Sequence, residues 1–199
     1  MFLRDAEVAD DENAGGYVAG RALAAVSHRV DISPGRWKDW YSEEAAALKQ
    51  LLPAGTKVHH IGSTAVPGIR AKPIVDILAC LPMAAEFPAC RRVLEKTGWI
   101  CMSQSDSRMS FNKGYTDTGF ADRVFHLHLR LPGDEDELYF RDWLTAHPED
   151  AALYEALKLD LWRKHEHDRD GYTAAKTGFV ERITKLARER AGLSTRDLP

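Results

Sequence analysis

The 199-residue chain is predicted to be a single α/β (α+β) domain in which a mixed sheet comes first and helices come last. Three stretches predict this. Pro73–Leu81 is a near-continuous apolar run, the pattern of a central strand buried on both faces. Arg123–Leu131 alternates strictly: Phe125, Leu127, Leu129 and Leu131 point one way, and His126, His128 and Arg130 the other. Beyond Pro132-Gly133 the spacing becomes helical over 134–146, 148–165 and 172–190, broken at His147-Pro148 and again over 168–171.

The other elements follow in order. Residues 1–27 stand apart as an N-terminal extension, with a loop around Asp10–Gly16 and an Ala-rich helical stretch over Tyr17–Val26; the domain proper spans 28–192. Val30 and Ile32 alternate with polar neighbours and predict a strand that stops at Ser33-Pro34-Gly35. Trp37, Trp40, Tyr41, Ala45, Leu48 and Leu52 recur at helical spacing, and Pro53–Gly55 ends that helix. Lys57–Ile61 is a strand, Phe87–Thr97 a helix stopped by Gly98, and 99–102 and 108–113 are strands. Residues 114–119 form a hairpin connection. Trp37, Trp40, Trp143 and Trp162 sit at helical spacing among apolar residues and read as core.

Composition narrows the function. A hydrophobic content of 44% and a charged content of 29% are ordinary for a soluble globular protein. A net charge of -3 lacks the basic excess that bulk nucleic-acid binding shows. No apolar run reaches the roughly 18 residues of a membrane span. The acidic N-terminus is unlike a secretory signal, so a cytoplasmic location is expected. Cys80, Cys90 and Cys101 lack metal-knuckle spacing and read as reduced core residues.

The chemistry concentrates at His60-Ile61-Gly62-Ser63-Thr64, a strand running into a small-residue turn. Glycine lets backbone approach a ligand, and Ser63 and Thr64 add hydroxyls, so the turn suits a phosphate. Twelve residues separate Ser63 from Asp76, room enough for the next strand to return beside the turn. Asp76 lies inside an apolar run, where a carboxylate must be paired or bound to something. Lys72 can reach a phosphate or neutralise Asp76; the alternative is a solvated loop lysine.

His126 and His128 share one strand face, which suits a metal or a phosphate oxygen; the alternative is a pair of partly exposed sheet histidines. Of the neighbours His59 and His60 at most one faces the site, and His60 is the choice here. Arg141 either touches a substrate phosphate or makes a structural ion pair. Lys158–Asp170 is a charge run and reads as a solvated helix face, while Lys176 opens the last helix and points weakly toward the site.

Residues 60–68, Lys72–Ile77, His126–Leu129, Phe140–Leu144 with His147-Pro148, Tyr154, Leu157-Lys158 and Tyr172–Lys176 together resemble the GrpB family, which also occurs fused behind some bacterial dephospho-CoA kinases. The resemblance covers about residues 30–190. It implies a fold similar to polymerase-β-type nucleotidyltransferases, where a Gly-Ser turn binds a nucleoside triphosphate and three acids hold Mg²⁺. Gly62 and Ser63 match the turn and Asp76 the first acid; the second acid falls at Leu78, and the third on the strand that reads His126-Leu127-His128.

The resulting expectation is metal-assisted transfer of a nucleotidyl group to a small acceptor. Asp76 is the catalytic residue. His60, Gly62, Ser63, Thr64, Lys72 and Arg141 bind substrate, and Asp76, His126 and His128 hold a divalent cation, Mg²⁺, Mn²⁺ or Zn²⁺. The competing expectation is an inactive nucleotide- or phosphate-binding module, favoured by the missing acid at Leu78.

Overall fold

A computed structural model describes residues 34–116, 119–165 and 168–193. The expected N-terminal helix at 17–26 and the strand around Val30 and Ile32 lie outside the described residues.

The described chain opens with helix α1 (Pro34–Leu51), placing Trp37, Ala45 and Leu48 on its buried side. Strand β1 (Lys57–Ile61) leads into a 3-10 turn at Ser63–Ala65, and strand β2 (Ile74–Cys80) follows. Helix α2 (Phe87–Glu95) precedes β3 (Ile100–Gln104), β4 (Met109–Thr116) and β5 (Gly119–Arg130). Helices α3 (Asp136–Ala146), α4 (Pro148–Lys164) and α5 (Arg169–Arg190) complete it. The fifth strand begins four residues before the predicted Arg123, because β4 and β5 continue pairing past the alternating segment out to Thr116 and Gly119.

The sheet order is β1-β2-β5-β4-β3, and β2 and β5 form its parallel pair. This mixed topology fits a chain that crosses over once through α2 and the β3–β4 hairpin. One sheet face carries Val75, Ile77, Ala79, Phe125, Leu127 and Leu129, packed with Trp37, Leu48, Leu52, Phe87, Leu94 and Trp99. These side chains exceed any other apolar cluster in number, and burial contributes roughly 1.5–3 kcal/mol for each large one. The opposite face carries Asp76, Leu78 and Cys80 beside His126, His128 and Arg130. There Leu78 is fully buried with Ile61 and Cys80, and Leu138 of α3 covers them. A third cluster joins Val66 and Ile69, after the turn, to Leu144, Tyr154 and Ile183 of the three C-terminal helices. That cluster seats the helices against the turn and leaves a cleft between them.

Of the tryptophans read as core, Trp37 is buried, whereas Trp40, Trp143 and Trp162 are only partly covered. Cys80 and Cys90 are buried free thiols, and burial pushes them up to about 12 and about 11. Among the described residues no helix is long and apolar enough to cross a membrane.

Candidate functional site

Register builds the centre of the site. Ile61 pairs with Asp76 across β1–β2, and Asp76 pairs with His126 across β2–β5. The backbone ladders therefore fix three functions side by side: the end of β1 where the turn begins, the carboxylate and an imidazole. Gly62 follows Ile61 at φ 71° and ψ -171°, a conformation close to glycine-only. A Cβ there would collide with the Asp76 carboxylate, lying 2.9 Å from its Cγ. The glycine thus serves two ends, a strained turn and a close approach to the acid.

Asp76 Oδ1 accepts from His126 Nδ1 at 3.1 Å, and His128 Nε2 lies 4.0 Å from the same oxygen. Burial alone would raise the carboxyl's pKa, but hydrogen bonding and charge from His126 and His128 outweigh it and hold the group well below the carboxylate range. The ionised carboxylate only accepts, so His126 carries a proton on Nδ1; in the neutral imidazole Nε2 is then the acceptor facing the Tyr115 hydroxyl at 2.8 Å. Tyr115 is brought there by a register shift between Lys113 and Tyr115. Gly114 sits in that shift at φ 89°, where a Cβ would run into the Arg123 carbonyl.

The cleft itself has a volume of about 190 Å³. Its strand side presents Ser63, Thr64, Lys72, Asp76 and His126, and its helix side Tyr154, Lys158 and Trp162 of α4 with Tyr172 and Lys176 of α5. Lys72 and Lys176 flank the Tyr172 ring at 5.2 and 5.0 Å. Lys158 Nζ donates to the Arg70 carbonyl at 2.8 Å and lies 4.9 Å over Tyr154. Burial pushes Lys158 down to about 8, with Glu155 opposing and Lys176 adding to the fall. Tyr154 is pushed up, first by burial and then by Tyr172, against a hydrogen bond with Ser63. The Trp162 indole Nε1 is buried and has no hydrogen-bond partner among the described residues. Arg70 and Glu155 also line the cleft, but they bond each other, so the three lysines outnumber Asp76 among its other charges.

Five of the sequence-predicted site residues, Ser63, Thr64, Lys72, Asp76 and His126, line this cleft. Gly62 borders it through its contact with Asp76. His60 faces the α1 side, stacked on Tyr41 at 4.7 Å. Its Nε2–H donates to Thr64 Oγ1 at 3.0 Å, and that hydroxyl donates on to the Ile74 carbonyl, so His60 braces Thr64 from behind. Burial pushes His60 down to about 4, the Asp76 charge resisting and Arg141 adding to the drop. Arg141 Nη1 donates to the His60 carbonyl at 2.7 Å, and Nη2 pairs with Asp142 at 2.7 Å. It secures β1 and does not line the cleft.

On the helix side, Lys176 of α5, read as pointing weakly toward the site, does line the cleft, whereas the α4 residues were missed by sequence reasoning. Lys158 lay inside a segment read as a solvated charge run, and Trp162 was assigned to the core. The available signal was Tyr154, Lys158 and Trp162 repeating every four residues, one face carrying a cation among aromatics.

The donor set expected to hold one divalent cation, Asp76, His126 and His128, brings a single carboxylate and is not preassembled as a metal site. Asp76 is its one acid, Leu78 occupies the second position and is fully buried, and both His126 nitrogens are engaged. Among the described residues no group of three His, Cys, Asp or Glu is placed to hold a metal ion.

A five-stranded mixed sheet with a glycine-serine turn feeding a strand carboxylate, backed by C-terminal helices, defines a nucleotidyltransferase-like fold. The crystal structure of Cid1 poly(U) polymerase with MgGTP bound matches it with a TM-score of 0.50. That match covers 74% of this chain and 48% of that one at 11% identity, and it bears on fold alone. The chain belongs to the GrpB family, whose sequence pattern, described as GrpB protein, matches residues 29–186. The crystal structure of conserved protein GrpB from Enterococcus faecalis has a TM-score of 0.71 and 30% identity, covering 82% of this chain and 99% of that one. A UPF0157 protein of Pseudomonas aeruginosa is 37% identical over 161 residues, 78% of this chain and about two thirds (66%) of the relative. More distant relatives bear the name dephospho-CoA kinase, and the chain spans less than half of their length.

Proposed function

We propose that the cleft binds a nucleoside triphosphate and that the protein transfers its nucleotidyl group to an acceptor hydroxyl. One observation carries this reading: three lysines, Lys72, Lys158 and Lys176, converge on a cleft that also holds Ser63 and the ionised Asp76, its other carboxylate, Glu155, being paired with Arg70. A cluster of ammonium groups between aromatic rings suits a polyphosphate, whose charge it neutralises as water is excluded. The Ser63 hydroxyl adds a neutral donor on the strand side.

In this mechanism the lysines draw charge from the leaving pyrophosphate, and Ser63 orients the phosphate chain. Asp76 holds the His126 Nδ1 proton and so keeps Nε2 as the basic nitrogen. No step runs through a metal ion, because both His126 nitrogens are engaged and Leu78 leaves Asp76 as the one acid among the expected ligands.

A second reading, a binding module without turnover, is favoured by Leu78: the position of the second acid is packed in an apolar cluster. Thermal-shift screening of nucleoside triphosphates, each with and without Mg²⁺, Mn²⁺ or Zn²⁺, followed by a pyrophosphate-release assay, separates the two. Transfer predicts stabilisation and pyrophosphate release, with Asp76→Asn folded and slower by roughly 100-fold or more. Stabilisation with no release supports the binder, and an active, folded Asp76→Asn removes Asp76 from the chemistry.

A further inference from the structure

Tyr115, His126 and Asp76 form a chain of three groups that neither the turn nor the lysine cluster explains. The hydroxyl of Tyr115 meets His126 Nε2 at 2.8 Å, and His126 Nδ1 meets Asp76 Oδ1 at 3.1 Å. A hydroxyl within bonding reach of a base, itself oriented by a third group, is the arrangement that activates a nucleophile. The backbone is shaped to supply it. The glycine at 114 takes a left-handed φ, β4 shifts register against β5, and the Tyr115 ring is held between Phe120 at 4.9 Å and His126 at 6.0 Å. His126 lines the cleft, and the hydroxyl it faces belongs to this same chain.

We propose that Tyr115 is an activated nucleophile and the self-modification site of this protein, the acceptor of the nucleotidyl group. This rests on the nucleotide reading above for its donor. In the step, the phenol proton passes to His126 Nε2, and the resulting imidazolium is held through Nδ1–H by the Asp76 carboxylate. The phenolic oxygen bonds to the α-phosphorus. The bond from that phosphorus to the bridging oxygen breaks, and pyrophosphate leaves with its electron pair toward Lys72, Lys158 and Lys176. The product is a phosphodiester joining Tyr115 to the nucleoside, with no change of oxidation state.

The test incubates the full chain with each ribonucleoside triphosphate and reads intact mass, then peptide mass. The expected result is one nucleoside monophosphate added at Tyr115. The adduct is absent from Tyr115→Phe, and its formation is slower by roughly 100-fold or more in His126→Asn, with both variants checked for fold by circular dichroism. Protein that a nucleotide stabilises but that gains no mass, or that gains it at another residue, overturns the inference and leaves nucleotide binding standing. If no nucleotide stabilises the protein, the nucleotide reading fails, and acetylation by N-acetylimidazole decides the nucleophile. Tyr115 labelled faster than the half-buried Tyr139, with the advantage lost in His126→Asn, supports it; equal labelling overturns it.

Discussion

The two walls of the cleft are built by different physics. On the strand wall, Asp76 and His126 hold their places through ladder hydrogen bonds, as does Tyr115 behind His126, so their spacing is set by register and varies little. On the helix wall, Lys158, Trp162, Tyr172 and Lys176 hold theirs through side-chain packing of Tyr154 on Phe140 and Phe179. Lysine stems reach and adapt; a strand carboxylate does not. Under the proposed transfer, bond making would fall to the rigid wall and charge neutralisation to the compliant one.

The comparison can be broken most severely at Leu78. Leu78→Asp restores the acid pattern of the fold class, but it places a charge where Ile61, Cys80 and Leu138 close out water. A loss of stability above about 4 kcal/mol is expected in denaturant unfolding. A stable Leu78→Asp protein would show that the strand wall tolerates a second acid. Gly62→Ala comes next: the positive φ and the Asp76 collision should cost about 3 kcal/mol, read as a fall in the unfolding midpoint.

Smaller effects test the helix wall. Lys158→Met should weaken triphosphate binding by roughly 10–100-fold in titration calorimetry while the melting temperature holds or rises. The pH dependence gives a second handle. With its amine pushed down to about 8, Lys158 sheds its proton as pH rises through that value, so wild-type affinity should fall there, and Lys158→Met should lack the fall. Stability moves the other way. The depressed amine penalises the charged folded state below about 8, and the penalty fades as pH rises toward the ordinary lysine value. For Asp76, whose pKa is lowered on folding, the contribution is present above the usual carboxylate value and is lost as pH falls below it. Tyr154→Phe is the mildest change. It removes the hydrogen bond with Ser63 and should cost about 1 kcal/mol.

The same contrast governs what the sequence disclosed. His126 and His128 were legible because alternation puts both on one face of their strand, whereas the meeting of Asp76 with them follows only from the β2–β5 register. His60 exposed the limit of that logic: the antiparallel register pairs it with Ile77, on the α1 side. The β1–β2 register follows from the whole connection, not from the pentapeptide. The α4 residues of the helix wall were illegible because a helix face has no address until its packing partner is known. Lys158 and Trp162 look like surface charge and core aromatic until α4 docks on the segment carrying Val66 and Ile69. Helix limits were read within a few residues. The start of β5 was not, since Gly114 and the shifted register interrupt the alternation by which a strand is recognised.

Asp76 and His126 are separated by 50 positions and meet through the parallel β2–β5 ladder. A nascent chain that has emerged only as far as β4 therefore carries the acid without its imidazole neighbours, an uncompensated charge at the heart of a hydrophobic strand. Pairing across so long a loop is slow to nucleate. Arrival of β5 both completes the core and neutralises that liability in a single event, so the Asp76–His126 pair doubles as a checkpoint in folding. Amide exchange at Leu127 should accordingly track global unfolding.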